Sequence, residues 1–227
     1  MQGRSDCSGL FHAGRTEPCV QGTAMRALSS PVFPDAAPAL RRGFPVFPES
    51  CMPALRPYLD TAPVIGARVY VDPACTIIGD VTLGDDASVW PGTVIRGDVN
   101  HVRIGARSNI QDGTIIHVSH HSPFNKGGFP TLIGEGVTVG HGTIIHACTI
   151  GDYCLIGMGA CILDGAEVKT HGFLGAGAVL GPGKVVGEGE LWLGNPARPA
   201  RLLSDKEIES LHYSADHYVR LKDTYLR

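Results

Sequence analysis

The sequence predicts an all-β fold: a left-handed parallel β-helix of triangular cross-section, with a C-terminal α-helix packed alongside. Three observations predict it. Aliphatic residues recur every six positions over most of the chain. A small or polar residue, often glycine, tends to follow each of them. The last two dozen residues abandon that period for a helical one. A six-residue period fits neither an α-helix nor a hairpin sheet, and it is the mark of a parallel β-helix.

The chain has 227 residues, 30 of them glycine, and a formal net charge of −3. Hydrophobic content of 43% argues against wholesale disorder. Only 18% of residues are charged, with no basic excess, so nucleic acid is not an expected partner. No apolar run is long enough to span a bilayer, so no membrane partner is expected either. The surplus of glycine has no Gly-X-Y period and forms no low-complexity block.

Residues 1–51 stand apart. They hold six prolines and five of the glycines, with neither a 3.6 nor a 2 period. They contain no apolar core of a secretory signal. The expectation is a disordered extension, or upstream sequence with Met52 as the natural start. The seven cysteines, Cys7, Cys19, Cys51, Cys75, Cys148, Cys154 and Cys161, are odd in number and lack a C-x-x-C pair. Free thiols in a reducing compartment, the cytoplasm, are expected.

Residues 52–203 carry the repeat. The aliphatic series runs Ile65, Val71, Ile77, Leu83, Val89, Ile95, slips by three, and resumes at Ile104, Ile110 and Ile116. A longer insertion follows. The series returns at Ile133, Val139 and Ile145, slips once to Ile150, and continues through Ile156, Ile162, Val168, Leu174 and Leu180. Each hexad makes one flat side, and three make a coil. The aliphatic residue points inward and its immediate neighbours outward. Small residues such as Gly66, Gly84, Gly105, Gly134, Gly140, Gly151, Gly157 and Gly175 are read as corner residues. Residues 204–227 read as a helix. Ser204 and Glu207 form a capping box, and Ile208, Leu211, Ala215, Tyr218 or Val219, and Tyr225 share one face.

Five of the ten histidines fall within residues 117–146: His117, His120, His121, His141 and His146. Let the sides be A, B and C, with the insertion bulging out between C and A. Ile104, Ile110 and Ile116 then take A, B and C, and Ile133, Val139 and Ile145 take them one coil later. His117 and His146 both follow a C-side residue, so they stack about 4.8 Å apart. His141 follows a B-side residue and points elsewhere. In a trimer of parallel prisms, side B of one subunit can face side C of the next and supply the third ligand. Three histidines and one open position describe a catalytic zinc-type site. Arg96 lies in the column of His117 and His146, with Asp98 two residues on. Gln111 lies on side B one coil before His141, with Asn109 and Asp112 beside it. His120 and His121 sit in the insertion. His12, His101, His171, His212 and His217 show no partner pattern and read as structural or surface residues.

These residues carry a resemblance. The stretches Ser88-Val89-Trp90-Pro91-Gly92-Thr93-Val94-Ile95-Arg96-Gly97-Asp98, Asn109-Ile110-Gln111-Asp112-Gly113-Thr114-Ile115-Ile116-His117 and Val139-Gly140-His141-Gly142-Thr143-Ile144-Ile145-His146 resemble the γ-class carbonic anhydrase family. The likeness covers about residues 52–227. It implies a homotrimer with metal sites at the subunit interfaces, held by His117 and His146 of one subunit and His141 of its neighbour. It implies zinc, with iron or cobalt as family alternatives, and CO2 and bicarbonate as substrates. Arg96 and Asp98 would form an intersubunit ion pair and place bicarbonate. Gln111, oriented by Asn109, would hold the metal-bound hydroxide. Tyr218 would reach the site from the helix.

Two departures accompany the likeness. Val99 stands where the family archetype has Glu after the Arg-x-Asp pair. The insertion after His117 has no acid, so His120 or His121 would carry the proton, since imidazole titrates near neutral pH. Two rival functions share the fold: a hexapeptide acyltransferase or thioester enzyme, and a non-catalytic trimeric metal-binding or assembly module.

Overall fold

The computed structural model describes residues 54–227. The predictions for residues 1–51, with Met52, His12, Cys7, Cys19 and Cys51, lie outside the described residues. Short strands, most of them two or three residues long, wind into a three-sided parallel β-helix before the helix Asp205–Tyr225.

Strand pairing follows the aliphatic series. On side A, Leu83 pairs with Ile104, Ile104 with Ile133, and Ile133 with Ile150. On side B, Val89 pairs with Ile110, and Ile110 with Val139. On side C, Ile95 pairs with Ile116, and Ile116 with Ile145. Every one of these residues is buried, and they stack as a continuous column. Each fully buried Ile or Leu contributes about 1.5–3 kcal/mol of transfer free energy. Sides A and C are hydrogen-bonded into one sheet, because Thr76–Leu83 and Val94–Ile104 run unbroken round the corner between them.

The two slips of the repeat have separate causes at that C/A corner. Gly79 pairs with Gly97 but Val81 pairs with Val102, so Asp80 faces a bulge of residues 98–101. The later slip, from Ile145 to Ile150, turns a tighter corner through Ala147 at φ 52°. The insertion leaves the same corner, between His117 and Thr131. Asn100, in the bulge, donates to the carbonyls of Ser119 and Gly127 in the insertion.

The glycines divide into two kinds, which corrects the reading of all of them as corner residues. Those that follow the aliphatic residue are needed for close stacking between coils. A Cβ on Gly105 would lie 2.4 Å from the backbone of Gly134. The left-handed corner residues come later in each hexad, as at Gly142 with φ 66°. At the A/B corner most of the left-handed positions are not glycine: Arg68, Asp86, Arg107, Tyr153 and His171 occupy it in five coils, with Gly136 between Arg107 and Tyr153 and Gly189 after His171.

That side-chain-bearing corner receives the C-terminal helix. Ser204 caps it, reciprocally with Glu207. Arg201, then Ser204, pull the Glu207 carboxyl down to about 2. The helix runs back along side B. Tyr153 stacks on His212, Arg107 pairs with Asp216, Lys222 with Asp86, and Tyr225 packs on Tyr70 and Trp90. Beneath it the outward residues Ser88, Asn109 and Thr138 are buried. Of the expected apolar face, Leu211 and Ala215 are buried. Tyr225 remains largely exposed, and the fully buried residue of the last turn is Lys222. The paired carboxylates explain this, since a buried ammonium is tolerated only when compensated.

Candidate metal centre

His117 and His146 stand directly opposite one another on neighbouring C-side strands, each beside a fully buried isoleucine. Parallel pairing brings their rings to a centroid distance of 5.2 Å, with Nδ1 of His117 3.2 Å from Nε2 of His146. Each ring also meets a carboxylate. His117 Nε2 lies 3.1 Å from Asp98 Oδ1, and His146 Nδ1 lies 2.6 Å from Asp164 Oδ1. Asp98 uses its other oxygen to pair with Arg96. The bulge of residues 98–101 is what swings Asp98 back towards His117.

Electrostatics bias His117 towards a ligating state. Burial lowers the His117 pKa; Asp98 opposes that, while Arg96 and His146 add to it. The ring is thus biased towards the neutral form, which has a lone pair to donate. Burial works against ionising Asp98, but Arg96 and His117 outweigh it and hold the carboxyl below its usual range.

His141 is exposed on the B side, where its Nδ1 lies 2.8 Å from Asp112 Oδ2. It does not join the other two: among the described residues no three metal-ligating side chains converge. Gln111 is buried and donates to Asn109 Oδ1 at 3.1 Å. Asn109 donates in turn to Thr138 Oγ1 at 3.0 Å, and Thr138 shares a 2.9 Å hydrogen bond with Ser214 of the helix. The Gln111 amide is therefore held one way round, with Oε1 directed away from Asn109. Tyr218 packs edge-on against Trp90 on the same side, and its phenol pKa is raised by burial and then by the Asp112 charge. His120 and His121 are exposed in the insertion, where His121 Nδ1 accepts from the Gly127 N–H.

Two imidazole nitrogens 3.2 Å apart, each ring oriented by a carboxylate, fit a divalent transition metal. Asp164 escaped the sequence reading. Its signal was available, because it lies two residues after Ile162, the C-side residue one coil beyond Ile145. A second feature was also missed. Val94, Ile115 and Ile144 pair in register on side C and stand 37%, 48% and 46% exposed, an apolar stripe beside the histidines.

Residues 62–97 and 130–164 match the family model described as bacterial transferase hexapeptide (six repeats). The chain is 52% identical over 172 residues to the Escherichia coli protein YrdA, covering 76% of this chain and 94% of that one. It is 42% identical over 161 residues to a probable carbonic anhydrase of Methanocaldococcus jannaschii, covering 71% of this chain and 97% of that one. It is 43% identical over 162 residues to mitochondrial gamma carbonic anhydrase 2 of Arabidopsis thaliana, covering 71% and 58%. The chain belongs to the γ-class carbonic anhydrase family. In this chain two of the histidines, His117 and His146, stand together on side C and His141 stands on side B.

Proposed function

We propose that this chain forms a homotrimer that hydrates CO2 reversibly to bicarbonate at metal centres shared between subunits. The observation that carries the reading is the facing pair His117 and His146 on side C, with His141 alone on side B. A pair and a single ligand on different sides of a prism complete one another only between copies. The bare stripe Val94, Ile115 and Ile144 beside the pair supports burial of that side in an assembly.

His117 and His146, with His141 of the partner subunit, would hold zinc, or iron or cobalt. The bound ion supplies the Lewis acidity that makes water nucleophilic near neutral pH. Arg96, fixed by Asp98, offers its guanidinium to the negative charge that develops as CO2 becomes bicarbonate. In the trimer, Arg96 and Asp98 also bridge subunits. Gln111 presents Oε1 to an O–H group at the centre, which orients the attacking oxygen. Tyr218 lines the B side next to Asp112. His120, exposed in the insertion, carries the proton out, with His121 as its neighbour. The four described cysteines are free, three of them buried, in keeping with a reducing cytoplasm. No helix of the described residues is long and apolar enough to cross a membrane.

The test is stopped-flow CO2 hydration on protein of measured metal content. The wild type should be active, and His117→Ala should lose both metal and activity. Retention of both in the variant would remove the site assignment. The transferase description of the matching family model favours a second reading, acyl transfer from coenzyme A. Tight acetyl-CoA binding by metal-free protein would support it. Full metal occupancy in a trimer without hydratase activity would favour the non-catalytic module.

A further inference from the structure

His171 and His212 show no partner pattern in the sequence and read there as structural or surface residues; the fold brings them together. His171 is at the A/B corner, in the left-handed region with φ 58°. His212 is in the second turn of the C-terminal helix. Their Nε2 atoms lie 3.1 Å apart, their ring centroids 5.2 Å apart, and their planes at 53°. The corresponding values for His117 and His146 are 3.2 Å, 5.2 Å and 52°. The second pair repeats the geometry of the first, with different elements supplying the rings.

We propose that His171 and His212 form a second binding site, for a divalent transition cation of the zinc type, which clamps the C-terminal helix to the β-helix. Two nitrogens 3.1 Å apart, each at the usual zinc–nitrogen distance of about 2.0–2.1 Å, subtend an angle of roughly 100° at the metal, close to tetrahedral. Both rings are half-buried, so the site is open to solvent on one side. Tyr153 stacks on His212 at 3.9 Å and holds its ring in place. No third ligand of the His, Cys, Asp or Glu type converges there among the described residues, so water completes the coordination. A cation at this point ties residues 41 positions apart in the chain, and its binding energy adds to the docking of the helix.

The alternative is a plain N–H···N hydrogen bond between neutral rings. Equilibrium dialysis of the chelator-stripped full chain against submillimolar zinc distinguishes the two. The variants are His212→Gln, which can still hydrogen-bond to His171, and His171→Asn, since Asn tolerates the left-handed corner. The wild type should hold one more zinc per chain than either variant. Backbone hydrogen exchange in the helix should slow on adding zinc to the wild type only. Equal zinc content in all three proteins overturns the proposal, as does an extra zinc that leaves helix exchange unchanged. All three proteins keep His117, His141 and His146, so the difference reports this site alone, whatever the first centre binds.

Discussion

Asp86→Asn tests the anchoring of the C-terminal helix. Asp86 sits at the A/B corner and accepts from Arg68 and, at 2.9 Å, from the fully buried Lys222. Arg68, against the opposing cost of burial and with Lys222 adding to it, holds its carboxyl at about 2, against an ordinary 3.8. The side chain is only 17% exposed, so solvent screening removes little of this. The depression corresponds to roughly 2 kcal/mol of stability at neutral pH. The sign follows from a folded pKa below the unfolded one. The contribution is complete above about pH 4 and is lost as pH falls through about 2, with roughly half gone by pH 3. Urea unfolding of wild type and Asp86→Asn at equal protein concentration should show that gap at pH 7 and a narrowing gap towards pH 3. Asp86→Ala, which strips Lys222 of this partner, should cost more, up to about 3–5 kcal/mol. A gap under about 0.5 kcal/mol at pH 7, the worth of an ordinary surface substitution, would refute the reasoning. So would a gap that does not change with pH.

Four further outcomes are expected. Asp164→Asn should weaken zinc binding by about 10–100-fold in chelator competition while leaving the thermal melt of the metal-free protein unchanged, because the carboxylate orients His146. Gly105→Ala should prevent stable folding in thermal melts, because its Cβ meets the Gly134 backbone at 2.4 Å. Gly142→Ala meets no atom within 4 Å and should cost only about 1–2 kcal/mol, for its left-handed φ of 66°. Ile145→Ala should destabilise by about 2–5 kcal/mol in denaturant melts, since the stacked neighbours Ile116 and Ile162 cannot close the gap.

Much of the fold was legible because a β-helix is nearly one-dimensional. Residue partners are set by counting along the chain, so the aliphatic period, with the insertion taken as a bulge between sides C and A, placed Ile116 against Ile145 and His117 against His146. The capping box of Ser204 and Glu207 was legible for a similar reason, since both partners lie within one turn. The bulge at residues 98–101 showed in the sequence only as a slip of three. That it turns Asp98 towards His117 depends on where Gly79 and Gly97 pair in space. Asp164 lies one position past the histidine column, which Leu163 occupies, and a lone acid near a core residue is commonplace.

The repeat in the sequence thus determined the coil, the three sides and the column of histidines, because hexad spacing converts directly into position. The course of the C-terminal helix was a matter for tertiary structure. Its 21 residues form locally, but which side they cover depends on side chains from five different coils. Arg68, Asp86, Arg107, Tyr153 and His171 take left-handed corner positions where glycine would carry no anchor. Only their convergence explains a buried Lys222 and brings His171 to His212. No local period encodes contacts between a helix and residues 41 positions away, as for His171 and His212, or 136 and more, as for Asp86 with Lys222 and Tyr70 with Tyr225.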